Sequence, residues 1–153
     1  LSELVETILS QHTSDLNSHR AFTALKEAFS SWSEVRDAPV EAVTKAIHSA
    51  GLSNIKAPRI QRVLQEISPL GEPDLEFLKG MPREKVREYL TALPGVGPKT
   101  AACVLLFSLG IPAIPVDTHV HRLAIRLGLI SPKTPADAAH DRLEELVPEK
   151  AMY

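Results

Sequence analysis

Lys99 and Asp117 are the residues whose type and setting could do chemistry. Lys99 follows Leu93-Pro94-Gly95-Val96-Gly97-Pro98 and opens a run from Thr100 to Leu109 that is apolar almost all round, which suits a buried helix. Pro98 fits the first helical position, where its missing N–H would be unpaired in any case. Gly95 and Gly97 permit backbone angles closed to other residues and let another backbone approach closely. The expected product is a tight hairpin whose N–H groups point outward at a helix start, a setting that attracts anions. An ammonium in that first turn meets the positive end of the helix dipole. Such a lysine is misplaced unless it binds an anion or serves as a neutral amine. The plainer alternatives are a simple connector and a solvated charge.

Asp117 heads Val116-Asp117-Thr118-His119 and is a candidate helix cap, because a carboxylate is favourable at a helix start. Taken alone, capping accounts for it. Chain geometry adds a second role. A helix of about 12 residues after Lys99 carries the chain roughly 18 Å away. The connector from Gly110 to Val116, if extended, recovers up to about 23 Å. Asp117 can therefore return beside the start of the Lys99 helix, so that an amine and a carboxylate share one cleft.

The elements that must position this pair read as helices throughout. Leu4, Val5, Ile8 and Leu9 form one face of a first helix, which ends at the polar break Gln11–Asp15. Ser14 or Asp15 caps a second helix running to about Phe29, and Trp32 belongs to a short turn of helix or a link. Pro39 starts a third, with Val40, Val43 and Ile47 inward, closed by Gly51. Leu52 follows in a polar loop, where folding back on the core is the default for a leucine. Ile60, Val63, Leu64 and Ile67 predict another helix with Pro58 in its first turn. After a Pro/Gly link and a short helix ending at Gly80, Pro82 opens the helix of Val86, Tyr89, Leu90 and Leu93 that leads into the hairpin. Beyond the connector, Asp117 to Leu127 and a segment capped by Thr134 complete an all-α chain. No period-2 pattern of strand length stands out.

Composition narrows the class. The 153 residues carry 17 Lys/Arg against 19 Asp/Glu, a net charge of −2 that does not advertise nucleic-acid binding. The distribution is uneven: from Lys79 to Lys133 eight basic residues meet three acidic ones, a local excess of +5 that suggests a basic face. No apolar run reaches the length of about 18 residues that a membrane helix needs. The one cysteine, Cys103, lies in the apolar run, so a disulfide within the chain is impossible; core filling is its simplest role and a reducing compartment the natural setting. The chain starts without Met or a cap and ends at Tyr153 without a stop signal, so a longer parent protein is expected.

Leu93-Pro94-Gly95-Val96-Gly97-Pro98-Lys99-Thr100-Ala101, followed at this spacing by Val116-Asp117-Thr118-His119, resembles the helix-hairpin-helix base-excision DNA glycosylases, and among them the endonuclease III branch. Ile8 to Asp15 resembles the segment whose polar side chain enters the duplex in that family, and Gly51-Leu52-Ser53-Asn54 the loop whose leucine acts as a wedge. The resemblance covers most of the chain. It implies a two-lobed all-α fold with a DNA cleft between a six-helix barrel and a second helical lobe. The barrel would span about 10–110, with the helix-hairpin-helix at about 82–109; the second lobe would combine 1–9 with 111–153. It also implies a bifunctional DNA N-glycosylase and AP lyase. Lys99 would be the nucleophile that forms a Schiff base with the sugar, and Asp117 would stabilise the charge that develops there. Gln11, His12, Leu52, Gly95, Val96, Gly97, Thr100, Thr118 and His119 would contact DNA. The implied substrate is an oxidised pyrimidine, or an abasic site, in duplex DNA. The implied protein is a monomer without a membrane partner, cytoplasmic in a bacterial or archaeal nucleoid.

Three departures qualify the match. Members of that branch usually carry four cysteines that ligate a [4Fe–4S] cluster, so this chain holds no metal and no cofactor as it stands, and a cluster would need a segment beyond Tyr153. Pro98 replaces a basic residue commonly found before the lysine. His12 stands where an ungapped comparison puts the intercalating glutamine, with Gln11 adjacent, and the two remain alternatives. A module that only binds DNA needs the glycines but neither Lys99 nor Asp117, and a helical protein-interaction domain explains neither motif.

Overall fold

The computed structural model describes residues 1–152. It is all-helical among the described residues and divides into two compact units, 1–80 with 93–95, and 81–92 with the chain from Val96 onward.

The first unit holds α1 (Ser2–Ser10), α2 (Asp15–Ala28), α3 (Trp32–Asp37), α4 (Val40–Ala46) and α5 (Ser53–Ile67), with single 3-10 turns at His48–Ala50 and Glu76–Leu78. The stripe Leu4, Val5, Ile8 and Leu9 is fully buried, and α1 packs on α2 and α5. Burial of each such side chain contributes about 1.5–3 kcal/mol. This contact groups residues 1–9 with the helices that follow them, whereas the expected lobes set them with 111–153. Ser14 caps α2 by accepting the Asn17 N–H at 3.4 Å. The short turn of helix expected at Trp32, with a link as the alternative, is present as α3, and Ser31 caps it by accepting the Glu34 N–H at 3.1 Å. A second fixing lies far along the chain: the Glu72 carboxylate accepts the N–H groups of Trp32 at 2.7 Å and Ser33 at 3.0 Å, satisfying donors that a six-residue helix leaves open. Pro58 is a second correction. It lies inside α5, on the exposed side and a turn past the start, because the helix begins already at Ser53.

The second unit holds α6 (Arg83–Ala92), α7 (Pro98–Cys103), α8 (Thr118–Arg126) and α9 (Ala136–Leu146). The buried helix expected as far as Leu109 is α-helical only to Cys103 and continues as a π turn over Val104–Ser108. Ala101 through Leu105 are buried, but Phe107 is 66% exposed. A π turn adds a residue to each winding, so side chains past Leu105 leave the buried stripe. Val116, Ala124, Ile130, Ala139 and Leu143 form a small core that joins α8 to α9.

Residues 111–116 belong to no helix or strand; the Ile111 N–H donates to the Leu105 carbonyl at 2.9 Å, and side chains satisfy further backbone groups. Glu144 of α9 accepts the Ile114 N–H at 3.0 Å, and its other oxygen pairs with Arg87 at 2.6 Å and Arg83 at 3.0 Å. Arg83 donates to the Pro112 carbonyl at 3.2 Å. His140 Nδ1 lies 2.9 Å from the Ile114 carbonyl, so that nitrogen carries the proton and donates it. Glu144→Ala should therefore cost about 3 kcal/mol in a denaturant titration, the low end for breaking a buried pair, because both arginines keep some solvent. Burial lowers the His140 pKa from its usual 6.5, against the raising pull of the Ile114 carbonyl and Glu144. The unfolded chain then takes up a proton first as pH falls, so stability declines below about pH 6.5. His140→Asn, which keeps a donor and loses the titration, should flatten that part of the stability–pH curve.

Candidate functional site

The chain passes from one unit to the other at the hairpin, and its two glycines do different work. Gly95, in the first unit, has φ +74, a left-handed angle, and a side chain there would fall on that of Arg59. Gly97, in the second unit, has φ −92, which any residue adopts, and a Cβ there would meet nothing within 4 Å. The protein itself does not require glycine at 97. What glycine adds is a bare stretch of backbone at the start of α7. Pro98 takes the first position of α7 and Lys99 the second, half-buried. Val96 and Thr100 are buried, at 5% and 4% exposure, so they can offer a ligand backbone groups only.

Asp117 caps α8. Its Oδ1 accepts the N–H groups of His119 at 2.9 Å and Val120 at 2.8 Å. The two N–H groups use one oxygen, and Oδ2 makes no hydrogen bond among the described residues. Capping therefore leaves half of the exposed carboxylate available. Its pKa lies below the usual 3.8, chiefly through the Val120 N–H. Slight desolvation opposes this; the His119 N–H and the electrostatic influence of His119 and Lys99 add to it. The second unit thus brings Lys99 and Asp117 within electrostatic reach of each other. Thr118 and His119 are exposed in the first turn of α8, and Arg122 donates to His119 Nδ1 at 3.2 Å.

In the first unit, His12 and Leu52 are the two non-glycine residues at positive φ among those described, at +55 and +49. Such angles are uncommon for these residue types and strained at about 1–2 kcal/mol each. Leu52 is 52% exposed and lies outside the core. His12 is exposed and makes no side-chain hydrogen bond among the described residues. Gln11 is held instead: Arg59 donates to its Oε1 at 2.9 Å, and its Nε2 donates to the Gly95 carbonyl at 3.4 Å.

With this geometry in view, comparison with known proteins places the chain. The sequence profile of the HhH-GPD superfamily base excision DNA repair protein matches residues 5–149. The chain belongs to that superfamily. It is 36% identical over 146 residues to Endonuclease III of Thermotoga maritima, covering 95% of this chain and 64% of that one. It is 37% identical over 118 residues to the DNA glycosylase/AP lyase ROS1 of Arabidopsis thaliana, covering 76% of this chain and 8% of that one. A solved trapped endonuclease III–DNA covalent intermediate superposes with a TM-score of 0.80 at 30% identity, covering 97% of this chain and 66% of that one. The chain therefore spans less than two thirds of the length of each of these relatives.

Two features of this HhH-GPD chain carry no sequence signal. Arg59 tethers Gln11 and packs at Gly95. Glu144 and His140 hold the connector that ends in Asp117. A [4Fe–4S] cluster needs four thiolates, and residues 1–153 offer Cys103 alone, buried in α7, so they do not fit that group.

The two glycines make a paired test. Gly97→Ala should leave the melting temperature unchanged or slightly raised, because alanine reduces unfolded-chain freedom, while weakening affinity for DNA. Gly95→Ala should destabilise the fold through its left-handed angle and the Arg59 contact. Thermal melts and duplex-binding titrations on both variants check this; full affinity in Gly97→Ala would show that the bare backbone has no ligand.

Proposed function

We propose that this chain is the catalytic region of a bifunctional DNA glycosylase and AP lyase that acts on duplex DNA bearing a damaged base, an oxidised pyrimidine in the first instance. The observation that carries the reading is the Lys99–Asp117 pair. An amine and a carboxylate stand at the starts of two helices in one unit, the lysine's charge is among those acting on the carboxylate, and the carboxylate keeps an oxygen unspent by capping. The names of the relatives agree with this reaction.

A base cannot be attacked within the stack, so the nucleotide must be turned out at a cost of a few kcal/mol. Leu52 and His12 occupy the space it leaves, as inserted side chains do in other bent duplexes. Gln11, tied to Arg59 and Gly95, supports the loop and does not enter. The bare backbone at Gly97 receives a phosphate.

Lys99 Nζ then attacks C1′ through its lone pair. The C1′–N bond breaks, and the base leaves with the bonding electrons and takes up a proton. Asp117 Oδ2 faces the positive charge that gathers on the sugar as this bond lengthens. Loss of a proton from Nζ and opening of the ring give an imine between Lys99 and C1′. Removal of a C2′ proton then expels the 3′ phosphate by β-elimination, and water releases the lysine.

Borohydride added during the reaction should trap a covalent adduct between the protein and an oxidised-pyrimidine duplex. Lys99→Gln should abolish it, and an adduct at normal yield would exclude Lys99 as nucleophile. Asp117→Asn should keep the fold, since asparagine caps about as well as aspartate. Its single-turnover excision should fall by about 10²–10³, because a neutral amide cannot replace the charge. Cleavage at a pre-formed abasic site should suffer less, as no base has to depart. Excision at the unaltered rate would leave Asp117 as a cap alone.

A further inference from the structure

Lys56 is the largest fully buried side chain of the structure, at 2% exposure, and the reaction proposed above gives it no task. Its ammonium has no carboxylate within 4.0 Å among the described residues. It donates instead to two backbone carbonyls, Leu9 at 2.7 Å and Ala50 at 2.8 Å. Both carbonyls belong to helix ends, Leu9 to the last turn of α1 and Ala50 to the 3-10 turn before α5. Helix-terminal carbonyls lack partners within their own helix and form the negative end of its dipole. One ammonium thus gathers two such ends. The chain leaving the first reaches His12 three residues on, and the chain leaving the second reaches Leu52 two residues on.

We infer that Lys56 is a positioning residue for nucleotide flipping, fixing the two loops that present His12 and Leu52 to the duplex. The inference rests on the function proposed above. Stability alone does not account for a lysine here. Burial, with the nearby Arg59 charge adding to it, pushes the ammonium pKa down from 10.5, so the charged form is held against resistance. An apolar side chain would escape the cost of burying a charge but would leave the Leu9 and Ala50 carbonyls without this donor. What an apolar chain cannot do is hold two carbonyls to one point. The residues that follow those carbonyls are the two strained at positive φ, and such angles persist only where the surroundings over-determine them. Arg59, one turn further along α5, secures the same first loop through Gln11. Helix α5 therefore carries the fixings of both loops on adjacent turns.

The test uses two oligonucleotides with an abasic site. The first is a duplex with 2-aminopurine opposite the site, whose fluorescence reports unstacking. The second is single-stranded, with no stack to open. Lys56→Met should lower the fluorescence change and the cleavage rate on the duplex by about tenfold to a hundredfold, the scale of a small misplacement. Borohydride trapping on the single strand should stay within about twofold of the unaltered protein. In a His12→Ala/Leu52→Ala background, Lys56→Met should cost nothing more, because its effect runs through those side chains. Should Lys56→Met fail to fold, Lys56→Gln, uncharged and still a donor, is read against the same outcomes. Unchanged duplex activity, equal loss on both oligonucleotides, or an undiminished loss in the double-alanine background would each overturn the assignment. No adduct from the unaltered protein with either oligonucleotide would overturn the proposed function itself, and this inference with it.

Discussion

Backbone that belongs to no helix or sheet is the constraint on which the second unit depends. Residues 111–116 must run back past a helix and cannot hydrogen-bond within themselves, so the unit spends side chains on them. Glu144 takes the Ile114 N–H, His140 donates to the Ile114 carbonyl and Arg83 to that of Pro112. A buried carboxylate is unfavourable unless paired, and Arg83 and Arg87 supply the pairing. The same two arginines stand on α6, the helix that leads into the hairpin. The ion pairs therefore link the segment ending in Asp117 to the helix ahead of Lys99, through α9. A charge network of this kind adds little net stability over an apolar core, and its value is geometric.

The site itself reconciles roles that look exclusive in a sequence. Asp117 reads as a cap or as a catalytic carboxylate. In the structure one oxygen serves both N–H groups of the cap while the other stays open. The cap also acts on the charge, because the Val120 N–H leads the interactions that favour the ionised carboxylate. The glycines divide in the opposite way. Gly95 and Gly97 look equivalent in the motif, yet one answers a backbone angle and the other leaves open ground.

How much could be read from residues alone follows from the range of the interactions. Helices with a local stripe, such as Leu4, Val5, Ile8 and Leu9 in α1, are legible because their period repeats within a few residues. The hairpin and Asp117 are legible because turn glycines and caps act on near neighbours. Elements that depend on distant partners are not. The start of α3 has a local cap in Ser31, but its second fixing, Glu72, lies 40 residues away and carries no signal near Trp32. Lys56 meets Leu9 across 47 residues, Arg59 meets Gln11 across 48, and Glu144 meets Ile114 across 30. Each of these side chains looks like an ordinary helix-surface charge in the sequence. The π turn after Cys103 is hidden for another reason: an apolar run satisfies either winding.

The first unit applies the same economy of polar side chains to loops. His12 and Leu52 stand at backbone angles that neither prefers, and both are exposed, so contacts of their own side chains do not explain the strain. The compensation must come from the loop stems. Leu9 and Ala50 are anchored by one ammonium, and Gln11 is held on both its oxygen and its nitrogen. In the proposed role, a side chain that displaces a nucleotide gains from a rigid stem, because any motion of the loop would be frozen out on binding and subtract from affinity. Strain of about 1–2 kcal/mol per residue is modest beside that loss and beside the cost of unstacking a base. The buried lysine and the left-handed residues then belong to one device: stems fixed in the interior so that two side chains can be held out of it.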